Sequence, residues 1–287
     1  MELSEILFLA LKIFATAATF LSLLDIGLQL EMKETLIGIR NPKFTFFTLL
    51  WGFILGSAIA WLLTLVLPLA EHYANGLLIM SFVPGAAYLA MLTERAKGDV
   101  RYSASFVLLT SFAMVFVIPL ALPLMVSGVL VTSWDIAKPL LMLVLLPLII
   151  GIIVRKKWLD SANRWRPLIK KLATIALLGA LVTTIASFGS GIVLSAGSFA
   201  LASLILFYLL ATACTWYSSW WFPYEQRSVL TLGVLSRNSG PAVAIAVSIP
   251  NLPSETFVLI GLGIIVQVAM SFPLAKRGGR KHGKQQL

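Results

Sequence analysis

Apolar runs long enough to cross a bilayer recur from one end of the sequence to the other, separated by short polar stretches. A run of about 18 or more such residues spans a hydrocarbon core of about 30 Å as a helix. The segments 6–30, 43–69, 74–93, 103–127, 136–154, 168–188, 197–220, 227–250 and 254–274 are predicted as such helices. Their continuity speaks against a β-barrel, whose strands alternate and run for only about 10 residues. The pattern therefore predicts an all-α integral membrane protein with nine transmembrane helices and no folded soluble domain. The longest polar stretch, Arg155 to Lys171, is expected to be a loop.

Two of these runs are interrupted. The third reads Ser81-Phe82-Val83-Pro84-Gly85-Ala86-Ala87-Tyr88, and the eighth Ser236-Arg237-Asn238-Ser239-Gly240-Pro241. Proline removes a backbone donor and clashes with the preceding turn, and glycine accepts the dihedrals of an unwound link. Unwound backbone at membrane depth survives only where protein or a wet cavity surrounds it. The helix breaks at Pro84, Gly85, Gly240 and Pro241 thus point to an internal site. Each interrupted run is the middle of a trio, 43–127 and 197–274, and the two run in opposite directions. That is an inverted repeat, the build of many secondary transporters.

Charge fixes the expected orientation. The chain is 59% hydrophobic and 12% charged with a net charge of +10, and its mean hydropathy is +0.94. Except for Lys12, Lys138 and Arg237, every Lys and Arg falls in loops after odd-numbered runs or in the C-terminal tail. The positive-inside rule places the N-terminus outside and the C-terminus in the cytoplasm. The basic surplus is thus read as topology, not as a nucleic-acid surface. The first run is preceded by Glu2 and Glu5 rather than by basic residues, unlike a signal peptide. Lys12 and Lys138 lie near run ends and can snorkel. Arg237 cannot: a charge at mid-membrane costs at least about 2.5 kcal/mol, so it needs a partner, water or a ligand. A guanidinium fits a carboxylate bidentately, which suits an anionic substrate. Asp25, the one carboxylate well inside a run, is the candidate for proton coupling or gating; a static Asp25–Arg237 pair is the structural alternative. Tyr88, Asn238 and Ser239 flank the breaks as further substrate contacts. His72 and His282 fall in a loop and the tail, Cys214 is read as a small packing residue, and no phosphate loop is present. No enzyme activity, cofactor or resident metal is expected.

Gly27-Leu28-Gln29-Leu30 with Arg40-Asn41-Pro42-Lys43, Pro84-Gly85 with Ala96-Lys97-Gly98-Asp99-Val100, Leu145-Leu146-Pro147 with Gly151 and Val154, and Asn238-Ser239-Gly240 follow one another in an order and spacing that resembles the bile acid:sodium symporter family. The resemblance covers nearly the whole chain and is to a nine-helix form. It implies a panel domain of residues 1–30 and 136–188, and a core domain of 43–127 and 197–274. The helices 74–93 and 227–250 would cross inside the core, and a basic cytoplasmic tail would occupy 275–287. It also implies organic-anion transport by movement of panel against core. The positions that hold sodium in the family fall on Gly52, Leu89, Ala90, Ser103, Val107, Gly233 and Arg237, of which only Ser103 keeps an oxygen side chain. The resemblance with these departures leads to a sodium-independent carrier of the inner (plasma) membrane in which Arg237 replaces the ion's charge. The expected partners are a small organic anion and membrane lipids, with a homodimer open. A metalloid exporter and a non-transporting sensor or scaffold are the alternatives.

Overall fold

The computed structural model describes residues 3–126, 132–194 and 198–285. The expected end of the run 103–127 and the start of the run 197–220 lie outside the described residues, as do the last two residues of the tail. The chain is built of helices α1 (Leu3–Gln29), α2 (Met32–Ile39), α3 (Pro42–Leu49), α4 (Gly56–Val66), α5 (Glu71–Ser81), α6 (Leu89–Arg95) and α7 (Val100–Met125), followed by α8 (Ser133–Leu140), α9 (Leu146–Lys157), α10 (Leu159–Leu194), α11 (Ala200–Ser218), α12 (Tyr224–Leu235), α13 (Ser239–Ser248) and α14 (Ser254–Gln285). Wider π-helical turns at Leu50–Leu55 and Leu141–Leu145 join α3 to α4 and α8 to α9. Among the described residues, seven helical stretches are long and apolar enough to cross a membrane. The protein is thus an all-helical, multi-pass membrane protein. The runs 74–93 and 227–250 are each two short helices joined by an extended link, α5 to α6 and α12 to α13.

Several motifs noted in the sequence have plain structural causes. Asn41 caps α3, accepting from the Phe44 N–H at 3.2 Å, with Pro42 in the first turn where no donor is needed. Asp99 caps α7 by accepting from the Arg101 N–H, and Gly98 lies close against Ser228 of α12. The Arg101 guanidinium, 2.7 Å away, holds the Asp99 carboxyl below the usual carboxylate range. Gly27 and Gly151 face each other where α1 crosses α9. A side chain on Gly151 would begin 2.8 Å from the Gly27 Cα and 2.6 Å from the Leu24 carbonyl oxygen. The two helices meet backbone to backbone there.

Two expectations are corrected. Arg155 to Lys171 is not a loop: α9 continues to Lys157 and α10 begins at Leu159. Its Arg155 donates to Glu31, just before α2, and to Asn163 of α10 at 2.8 and 2.6 Å, while Ala162 is buried. Cys214 is exposed on the outer face of α11 and does not pack inside. The described part of the tail continues α14 and is docked. Its Gly278 and Gly279 leave room for the Tyr224 hydroxyl and the Arg95 carbonyl, and the His282 ring stacks on Tyr224 at 4.0 Å.

Candidate functional site

The two extended links cross and pair. Residues 83–86 and 236–238 run antiparallel, bridged between Pro84 and Arg237. The Asn238 N–H donates to the Val83 carbonyl at 2.6 Å, and the Gly85 N–H to the Ser236 carbonyl at 2.8 Å. Each interruption thereby satisfies part of the other's backbone. Gly85 has φ +84°, the left-handed region that suits glycine. Gln267 of α14, which nothing in the local pattern marks, is 1% exposed and accepts the Arg237 backbone N–H at 2.6 Å.

The Arg237 side chain is fully buried, at 0% exposure. Its Nη1 donates to the Ser81 carbonyl at 2.8 Å and to the Gly52 carbonyl at 3.3 Å. Both acceptors are available for local reasons. Ser81 ends α5, so its carbonyl lacks an intrahelical donor. Gly52 lies in the π turn, a geometry that recurs at functional sites. Gly56, one turn on, leaves the space: a side chain there would begin 2.9 Å from Arg237 Nη2. The guanidinium lies over the Phe207 ring at 5.1 Å, a cation–π contact. Arg237 Nε and Nη2 find no acceptor among the described residues, and no ion pair to Arg237 is found among them either. A lone cation is thus caged by carbonyl dipoles and an aromatic face.

Asp25 is elsewhere. Its carboxylate accepts from Arg166 Nε at 3.2 Å and from Gln29 Nε2 at 2.6 Å, joining α1 to α10. The static Asp25–Arg237 pair is therefore not formed.

A crevice of about 50 Å³ lies where α1 and α10 meet the crossing, lined by Thr19, Ala87, Tyr88, Asn238, Ser239 and Gly240 among others. None of the groups that the guanidinium touches lines it. Arg237 itself lines the crevice beside Asn238 and Ser239, with its guanidinium turned toward Ser81, Gly52 and Phe207. Asn238 precedes α13 without capping it by its side chain, so the first N–H groups of α13 carry the positive end of the helix dipole toward this space. Thr19 packs directly on Gly240. Tyr88 is a partial case: its ring stacks on Phe272 of α14 at 5.9 Å, which gives it a packing role beside the crevice. A second cavity of about 220 Å³ is lined by Gln29, Glu31, Glu34 and Arg101 and also by Ala87, Ala90, Ser103 and Val107. Ser103 spends its hydroxyl on the Val100 carbonyl at 2.6 Å. Leu89 is fully buried, and opposite Gly233 the Phe106 ring fills the space, 2.6 Å from where a side chain would start. Side chains at the positions compared with sodium ligands thus offer hydrocarbon, a spent hydroxyl or a guanidinium.

Comparison with known proteins agrees with this architecture. The model of the Sodium Bile acid symporter family matches residues 16–196, more than half of the chain. The protein belongs to that family. It is 31% identical over 163 residues to Sodium/bile acid cotransporter 7-A of Xenopus laevis, covering 55% of this chain and 48% of that protein. It is 23% identical over 224 residues to Arsenical-resistance protein Acr3 of Alkaliphilus metalliredigens (strain QYMF), covering 74% of this chain and 63% of that protein. The chain thus spans about half the length of the cotransporter and somewhat under two thirds of Acr3. The family is described by sodium and bile acid symport, and the matched relatives are named as a cotransporter and an arsenical-resistance protein.

Proposed function

We propose that this protein is a secondary carrier of a small organic anion, working by alternating access and without sodium. The observation that carries the reading is the caged, unpaired Arg237 cation at the crossing. A fixed positive charge there does what a bound alkali ion would do: it neutralises converging carbonyls and makes the neighbouring crevice favourable to an anion. The anion would lie on the Asn238 amide and the N–H groups that open α13, with Arg237 acting through its field and Tyr88 bordering the site.

In this reading the seven continuous spans and the two interrupted pairs make nine crossings arranged as an inverted repeat. Residues 43–127 and 197–274 form the core, 1–30 and 136–188 the panel, and the C-terminus lies in the cytoplasm. A crevice of about 50 Å³ has space for a water or two, at about 30 Å³ each in the liquid. Admission of a substrate therefore requires α1 and α10 to part from the crossing.

Uptake of small carboxylates into proteoliposomes tests this. Flux is expected with equal rates in sodium and potassium media, and Asn238→Ala should raise the substrate Kd roughly tenfold. A steep sodium dependence would overturn the reading, and no flux for any carboxylate would favour the sensor or scaffold alternative. The likeness to Acr3 favours a metalloid exporter as the second reading. The cysteine that such carriers would need has no counterpart near the crossing, since Cys214 is on the outer face of α11.

Asp25 reads as a clamp between α1 and α10. Asp25→Asn is expected to lower the unfolding midpoint and leave the pH profile of uptake in place. A flattened profile would instead assign it proton coupling.

A further inference from the structure

The largest of the three cavities described lies away from the crossing. A cleft of about 670 Å³ opens on the outer face of the bundle between α11, α12 and α14, and it shares no lining residue with either of the other two. Its edges include the exposed Leu209, Tyr217 and Leu274, so it opens sideways toward lipid. Small side chains, Ala213 and Ala269 among them, leave the space. Pro273 inside α14 breaks the local bonding that would keep that helix straight. Along α12 the cleft runs from Tyr224 to Leu235, about 16 Å at 1.5 Å per residue. That is about half of a hydrocarbon core of about 30 Å, the depth of one leaflet.

One end of the cleft is charged. Arg277 lines it and has no hydrogen bond or ion pair among the described residues. The carboxylate nearest in sequence to that rim, Glu225, is engaged by His282 at 3.1 Å. The aromatic rings of Trp216, Tyr217 and Tyr224 gather at the same end, as they do at membrane–water boundaries. An apolar trough one leaflet deep with a free guanidinium at its polar mouth matches a molecule with a hydrocarbon chain below and a negative phosphate above. We infer that the cleft binds an anionic glycerophospholipid, with an acyl chain against α11 and α14 and its phosphate on Arg277.

The test is native mass spectrometry of the full chain in detergent, with phosphatidylglycerol and phosphatidylcholine of the same acyl chains in competition. Phosphatidylglycerol should be retained about fivefold better, the share that one basic residue near an anionic surface contributes. Arg277→Gln should bring the two lipids level, while Arg280→Gln keeps the preference. Ala213→Trp, on the exposed face of α11, should fill the cleft and reduce retention of both lipids. An unchanged unfolding midpoint without added lipid shows that the variants fold. The inference is overturned if phosphatidylglycerol is not preferred, if its preference survives Arg277→Gln, or if Ala213→Trp retains lipid as before. None of these outcomes depends on whether the chain transports an anion.

Discussion

Arg237→Gln should bind anions far more weakly while still folding. A unit charge in a medium of effective dielectric constant about 20 acts on a group on the order of 8 Å away with about 2 kcal/mol. That corresponds to roughly thirtyfold in Kd. Arg237→Met should in addition destabilise the fold. It leaves the Ser81 and Gly52 carbonyls, which accept at 2.8 and 3.3 Å, buried without this donor. An unmet buried acceptor costs about 1–3 kcal/mol, and Ser81 retains a 3.4 Å contact from the Ser57 hydroxyl, so Gly52 should account for most of the loss. Arg237→Lys keeps the charge but not the planar fork, so anion affinity should largely persist while the unfolding midpoint falls. Isothermal titration and thermal unfolding in detergent separate the two effects. Equal anion affinity in wild type and Arg237→Gln would refute the electrostatic role. Gly233→Glu alone should not create a sodium site, because the Phe106 ring occupies that space.

The other large effect is expected at the crossing of α1 and α9. Gly151→Leu must push apart two backbones that lie within 2.8 Å of the position its Cβ would take. Overpacking a well-packed interior costs about 1–3 kcal/mol, occasionally more. Here the obstructing atoms are main chain and cannot rotate away, so the upper end is expected, with Gly151→Ala smaller but measurable. In membranes, where close approach of helices is itself a driving force, such a variant should lose helix packing before it loses helicity. The check is a lowered unfolding midpoint with unchanged far-ultraviolet circular dichroism at low temperature. An unchanged midpoint would show that the helices separate freely.

Much of this could be read from the residues, for reasons that particular elements make clear. Span length and the paired breakers mark α5–α6 and α12–α13, because bilayer thickness and proline sterics are local constraints. The position of Arg237 before a break likewise announces an internal cation. What it contacts was not legible: Gln267, Gly56 and Phe207 come from distant parts of the chain, and two of the acceptors are backbone carbonyls, which any residue supplies. The stretch from Arg155 to Lys171 looked like a loop because its polarity outweighed its helical register. Its register is fixed by distant partners, Asp25 on α1 and Glu31 just before α2, that no local pattern reveals. The exposure of Cys214 is not legible because mid-span depth is not burial, and apolar sequence alone does not separate a lipid-facing side from a packed one.

Ala87 borders both the small crevice at the crossing and the larger cavity beside α7. Ala87 is the one residue that these two linings share. A bulkier side chain at this position would press on both compartments at once, so a single substitution there should alter them together.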